Sequence, residues 1–370
     1  MKIRISKNRL QEALKRVGGV ADGRSGLPIL ANVKLETGDG LLSLTTTNLD
    51  LTLCTAAECT VTEAGATTVP MKKFEQIVSV LPSDDVAIAS DNSERVIITA
   101  GETRMTVSGR RVKDFPELPG VDAAAVCTIP CKDFSNVLKW SAYAMSRDDT
   151  RKTLCSVLLE LFDGSLRAVA TDGRRLGKGV CASKNAAKGK TQFILPALAV
   201  AALQRSLDAE GDITVKSAGS QLVFEHHEGR DVIYSKLIDG AYPCYEQVIP
   251  ADADADAVVD REALLALLGR MMVMASASAP SVTLSFSEGV LAVDAVGDSA
   301  DEGDAHEIMP IKYSGAQFTT RFNPKYLMDV LKASTSDALH MNTESTGSKL
   351  IKITSDTEDL LSIIMPLRTV

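Results

Sequence analysis

His226, His227 and Glu228 form an unbroken run with Asp231 close behind, and their types come nearer to a metal centre than any other stretch of the chain. Imidazole nitrogens and carboxylate oxygens are the ligands that a zinc-type ion takes, provided that they converge on one point. The run closes ITVKSAGSQLVFEHHEG (213–229), whose alternation predicts a hairpin. Adjacent strand residues face opposite sides of a sheet, so the two histidines are expected to diverge, and no metal or cofactor is predicted. Asp172 before Gly173 could act as a catalytic carboxylate, but no second carboxylate or base stands at an interpretable spacing. With four histidines in all and neither a GxxxxGKS/T nor a GxGxxG loop, nucleotide hydrolysis finds no support. No catalytic residue is therefore assigned, and a non-enzyme is expected. Cys54, Cys59, Cys127, Cys131, Cys155, Cys181 and Cys244 make no CxxC pair and no zinc spacing with histidine, which predicts buried or half-buried thiols in a reducing compartment.

The elements that would carry any site follow an internal period. Six segments begin Ser6-KNRL, Pro70-MKKF, Pro130-CKDF, Pro196-ALAV, Asp260-REAL and Asn323-PKYL, with starts 64, 60, 66, 64 and 63 residues apart. Each opens on a capping residue or on proline, tolerated where the first helical amides lack partners. Apolar residues then recur at helical spacing: Leu10 and Leu14, Phe74 and Val78, Phe134 and Leu138, Val200 and Leu203, Leu264 and Leu268, Leu327 and Leu331. Alternating segments such as VAIASDNSERVIITA and VTLSFSEGVLAVDAV come after each helix and read as antiparallel hairpins. The fold class is α+β: three similar domains, near 1–122, 127–250 and 256–370, each made of two helix-plus-antiparallel-strands repeats. Pro119-Gly120 and the ADADADA run after Pro250 mark the joints.

Composition narrows the class of partner. The 370 residues, 45% of them hydrophobic, can bury a large core, and the formal charge of −8 speaks against a simple basic coat for DNA. No run of about 18 apolar residues occurs and MKIRISKNRL has no signal-peptide character, so a cytoplasmic protein without a membrane partner is expected. Three alike domains make an open arc or part of a ring, and closing an arc from identical chains takes a head-to-tail contact. Two chains would bring twelve helices; at about 9 Å spacing these enclose a hole of about 25 Å, room for duplex DNA. Lys7, Arg9, Lys15, Arg16, Lys72, Lys73, Lys132, Lys139, Arg205, Arg261, Arg270, Lys325 and Lys332 put at least one cation on every helical segment. The expectation is helices inside, sheets outside, and a cationic lumen that holds phosphates without reading bases.

Over its whole length the chain resembles the bacterial β sliding clamp family, the β subunit of DNA polymerase III. The resemblance rests on GRSGLPIL (23–30), LSLTTTNLDL (42–51), GATTVP (65–70), DFPELP (114–119), AVATDGRRL (168–176), SKLIDGAYPCYEQVIP (235–250), FNPKYLMDVL (322–331) and MPLR (365–368). It implies a processivity factor that encircles duplex DNA as a head-to-tail homodimer and tethers replicative and repair polymerases. ATP-driven opening would fall to a separate clamp loader. It further implies a cleft for a short Gln-Leu-type peptide motif, formed by Leu154, Thr171, Gly173, Arg174, Arg175, Leu176, Pro243, Val248, Ile363, Met365, Pro366, Leu367 and Arg368. By the same resemblance, Arg24, Arg147, Arg151 and Lys152 would contact DNA, and the edge around Met105 and Val107 would meet Val273 and Met274 of a second copy. The chain departs from the family pattern at Arg174, a common histidine, at Gln247, often arginine, at the acidic Asp148, and at Lys152, which replaces an aromatic side chain. An interaction scaffold that uses the cleft without enclosing DNA, and a metal-dependent nuclease or transferase, are the competing classes.

Overall fold

Every one of the six predicted starts is followed at the next residue by a helix: α1 (Lys7–Val17), α2 (Met71–Val80), α3 (Cys131–Ala142), α4 (Ala197–Ser206), α5 (Arg261–Met274) and α6 (Pro324–Ala333). The computed structural model describes all residues except 22–25, 92, 119, 121–122, 186–188, 208–209, 251–254, 298–302, 344–349 and 368–370. Arg24, Arg368 and parts of both expected domain joints therefore lie outside the described residues. All twelve residues of the predicted apolar stripes are at most 1% exposed, which shows the helical period to be the face that packs. Capping is less uniform. The Asp260 carboxylate accepts the Ala263 amide (2.8 Å) and the Asn323 side chain accepts the Lys325 amide (3.0 Å), whereas the Ser6 hydroxyl donates to Asp84 (3.0 Å) instead of capping α1.

The chain divides into two compact units, Met1–Ser135 with Ser183–Lys188 and Leu195–Asp239, and Asn136–Ala182 with Gly189–Ile194 and Gly240–Val370. In the first, α1 packs on α2 and α4. Its five-stranded antiparallel sheet ends at Thr103–Ser108, and its nine-stranded sheet carries the hairpin Gln221–His226/Asp231–Lys236. In the second, α5 packs on α6. An eight-stranded sheet there places Arg175–Ala182 between Ser165–Thr171 and Leu360–Ile364, and a four-stranded sheet ends at Asp304–Pro310. Gly177 and Gly179 share one face of Arg175–Ala182, where a Cβ would come within 2.7 Å of the Trp140 carbonyl oxygen and 3.0 Å of the Trp140 ring. Glycine alone lets α3 lie that close to the strand. Among the described residues no helix is long and apolar enough to cross a membrane.

Candidate functional site

Two hairpin turns hold the polar residues singled out from the sequence. The first joins Ser165–Thr171 to Arg175–Ala182, with Thr171 opposite Leu176. The Asp172 carboxylate closes it by accepting the amides of Arg174 (2.8 Å) and Arg175 (3.0 Å), and the Thr171 hydroxyl donates to the Arg175 carbonyl (2.7 Å). Gly173 takes a φ of +85°, open to glycine without strain. Asp172 is thus a turn-builder.

Beside this turn runs the segment Met365–Leu367. Its Met365 amide donates to the Arg174 carbonyl (2.9 Å) and its Leu367 amide to the Arg321 carbonyl (2.7 Å), so the stretch is held at both ends. Gly173, Arg174, Met365, Pro366 and Leu367 line one hollow of about 860 Å³ together with Asn323 and Tyr326, all within the second unit. Five of the cleft residues expected from the resemblance thus meet. Leu176 and Ile363 sit opposite each other in register and are about 1% exposed, so they belong to the sheet beneath and not to a contact surface. Arg175 is likewise 8% exposed. Its guanidinium binds Asp172 (3.2 Å) and Asp329 (2.6 Å) and stacks 4.5 Å from the Tyr326 ring centre. Leu154, Thr171, Pro243 and Val248 do not line the hollow. Thr171 is tied to the 240s segment by its amide, which donates to the Tyr242 hydroxyl (3.2 Å).

That segment is anchored by Glu160, which is fully buried. The Tyr245 hydroxyl donates to its carboxylate (2.6 Å) and Lys190 (2.8 Å), Gln192 (2.6 Å) and Arg167 (3.2 Å) surround it. Burial alone would raise the carboxyl, but the hydrogen bonds from Lys190, Tyr245 and Gln192 outweigh it and hold Glu160 below the ordinary carboxylate range. Val248, on the short turn Tyr245–Val248, is 39% exposed beside this anchor. Asn323 and Tyr326 are functional candidates that only the structure reveals, since FNPKYL marks Asn323 in sequence only as a helix cap. The same side chain does both.

A second hollow shares Arg174 and Tyr326 with the first and is lined also by Arg147, Arg151, Lys325, Asp148 and Asp329. Arg151, an expected DNA contact, is turned back on its own loop: it binds Asp148 (3.0 Å) and donates to the Ser146 hydroxyl (3.2 Å) and the Asp172 carbonyl (3.3 Å). Asp148 is held below its ordinary range, chiefly by the Thr150 hydroxyl, then by the Thr150 amide and Arg151. Arg147 and Lys152 are exposed. Among the helical cations the arginines are mostly engaged: Arg9 with Glu58 (3.1 Å), Arg205 with the Gly18 carbonyl (2.9 Å), Arg261 with the Ser336 carbonyl (2.7 Å) and Arg270 with Glu307 (2.9 Å). Lys15, Lys72, Lys73, Lys132, Lys139, Lys325 and Lys332 are exposed and, among the described residues, in no ion pair.

Among the described residues the strand Thr103–Ser108 pairs on one side only, leaving a sheet edge with Met105 half-buried and Val107 at 8% exposure. In the other unit Asp304–Pro310 is also an edge, with Ile308 at 62%, and Val273 at the end of α5 is 81% exposed while Met274 is half-buried. Strand edges without a neighbour invite strand pairing. Cys244 is exposed, contrary to the expectation of buried or half-buried thiols.

The second turn joins Gln221–His226 to Asp231–Lys236 and overturns the reasoning that kept its histidines apart. The strand ends at His226; His227 and Glu228 then take φ of +50° and +58° and Gly229 +80°, so the alternation of faces lapses. The imidazole centres lie 4.5 Å apart, and His227 Nδ1 stands 2.6 Å from Asp231 Oδ2.

Three consecutive family models match the chain: the DNA polymerase III beta subunit N-terminal domain over residues 1–119, its central domain over 128–244 and its C-terminal domain over 246–368. The chain is similar to the beta sliding clamp of Escherichia coli K12, 31% identical over 371 residues and the full length of both, and to that of Pseudomonas putida, 29% identical with the same coverage. It resembles the crystal structure of the DNA polymerase III subunit beta from Pseudomonas aeruginosa over the whole of both chains, at 28% identity and a TM-score of 0.88.

Proposed function

Because this chain belongs to the DNA polymerase III beta subunit family, the sliding clamps, we propose that two copies close head to tail around duplex DNA and hold polymerases to it through short peptides. The chain is a processivity factor of DNA replication and performs no chemistry itself. The observation that carries the tethering role is the hollow between the turn at Gly173 and the segment Met365–Leu367, which offers a thioether, proline and leucine surface beside glycine backbone and the Arg174 guanidinium. Such a surface suits a short motif of glutamine and leucine type, because apolar anchors fill an adaptable pocket while backbone groups fix the register. Leu154, Thr171, Pro243, Val248 and Arg368 extend the cleft in this reading, and Arg175, Leu176 and Ile363 shape it from beneath.

The three domains, 1–122, 127–250 and 256–370, each contribute two helices toward the DNA. Exposed lysines on α1, α2, α3 and α6 supply loose phosphate contacts, joined by Arg24, Arg147 and Lys152; Arg151 acts mainly by bracing its loop. Phosphate neutralisation without base contacts gives affinity that falls steeply with salt and a complex free to slide. The edge with Met105 and Val107 in one copy meets the edge strand Asp304–Pro310 and the helix end with Val273 and Met274 in the other. A separate clamp loader opens the ring, and the protein works in the cytoplasm. Loaded onto nicked circular DNA by a bacterial clamp loader, the dimer should stay through gel filtration at about 0.2 M salt and leave once the circle is cut. Equal loss from circular and linear DNA would reduce the protein to an interaction scaffold.

A further inference from the structure

Away from the peptide hollow, His226, His227 and Asp231 bring three donor atoms within 4.8 Å of one another, all inside the first unit. We propose that these three side chains form a binding site for one transition-metal ion of the zinc class. A tetrahedral zinc site with bonds of about 2.0–2.1 Å sets its ligand atoms about 3.4 Å apart, and the His226 Nδ1 to Asp231 Oδ2 separation of 3.8 Å is close to that spread. The His227 to Asp231 distance of 2.6 Å is a hydrogen bond, which an ion would open by about 0.8 Å to reach the same spread. Two imidazoles and one carboxylate suit zinc, cobalt or nickel and do not suit magnesium or calcium, which take oxygen donors.

Three further features are those of a ligand set. Three successive left-handed residues, two of them with side chains, turn His227 onto the same side as His226. The Thr55 hydroxyl donates to the other oxygen of Asp231, orienting the carboxylate as outer hydrogen bonds orient metal ligands. An open cavity lined by His227, Glu210, Asp212, Glu228 and Arg230 adjoins the cluster and leaves room for a water in the fourth position. Arg16 is the competitor: its Nη1 lies 3.2 Å from the same Asp231 oxygen and supplies the counter-charge when no ion is bound. At 28% exposure its side chain can withdraw into the cavity that it also lines. The ion and the Arg16 guanidinium therefore exclude each other, and removing the guanidinium strengthens the site.

The probe is cobalt(II), titrated into the chelator-stripped full chain and followed by the visible absorption of tetrahedral cobalt, with zinc added as displacer. Wild type should bind one ion per chain. His227→Gln, on a partly exposed residue, should weaken binding by more than about tenfold, and Thr55→Val by about tenfold. Arg16→Met should tighten it, while His306→Gln and His340→Gln leave it unchanged; far-ultraviolet circular dichroism checks that each variant is folded. The proposal is overturned by wild type without stoichiometric binding, by undiminished binding in folded His227→Gln, or by binding that Arg16→Met leaves unchanged or weakens. Because the readout is metal uptake alone, the outcome is independent of whether the chain encircles DNA.

Discussion

The turn after Thr171 and the turn after His226 are built alike and used differently. Each spans four residues between paired positions, Thr171 opposite Leu176 and His226 opposite Asp231, and each has a left-handed glycine; the aspartate lies inside the first turn, as Asp172, and closes the second, as Asp231. In the first, Asp172 satisfies two amides of its own turn, so Gly173 and Arg174 stay exposed and face a hollow. In the second, the aspartate is 3% exposed and binds other side chains, Thr55, His227 and Arg16. A carboxylate that folds its own loop frees that loop to meet a partner. A buried carboxylate that gathers side chains makes a polar cluster instead.

This contrast predicts unequal costs. Asp231→Ala strands Arg16 and the two histidines around a vacated buried position and should destabilise the protein by about 3 kcal/mol, seen as a lower urea midpoint. Asp172→Ala should cost about 1 kcal/mol, since Arg175 keeps Asp329, yet should weaken peptide binding where Asp231→Ala does not. Equal destabilisation by the two would erase the distinction. Acid offers a third comparison. Glu160, beside the first turn's neighbours, has a folded-state value held below 4.5, so the stability it contributes is complete above the unfolded value and disappears as pH falls through the folded one. Melting temperature measured from pH 6 downward should drop below about pH 4.5 in wild type and drop less in Glu160→Gln, whose starting stability is lower. The smallest effects are mirror images in the backbone: Gly173→Ala at φ +85° should destabilise by about 1 kcal/mol, and Glu228→Gly at φ +58° should stabilise by up to about 1 kcal/mol, both read by thermal melting.

The helices were legible because their signals are local: a cap or proline one residue ahead, then apolar residues at helical spacing that all prove buried. The hairpins were legible for the same reason. Residues 365–367 and the turn at Gly173 could be paired only through family resemblance, since nothing local in MPLR says that it will lie beside a turn almost 200 residues earlier. Where the local rule was carried one residue too far it failed. Strand alternation predicts diverging histidines, but only Gly229 hinted that the chain would turn left-handed at His227. Charge partners were equally hidden. Thirteen helical cations look alike in sequence, and tertiary packing decides that Arg9, Arg205, Arg261 and Arg270 are tied while lysines such as Lys72 and Lys132 stay open.

The most direct measurement is a fluorescence-anisotropy titration of a labelled Gln-Leu-type pentapeptide against wild type, Met365→Ala and Asp231→Asn. Truncating a half-buried methionine in the hollow should weaken binding about fivefold or more, from about 1 kcal/mol of lost apolar contact, while Asp231→Asn binds as wild type does. Equal affinity for wild type and Met365→Ala would contradict the assignment of the hollow as the place where partners attach.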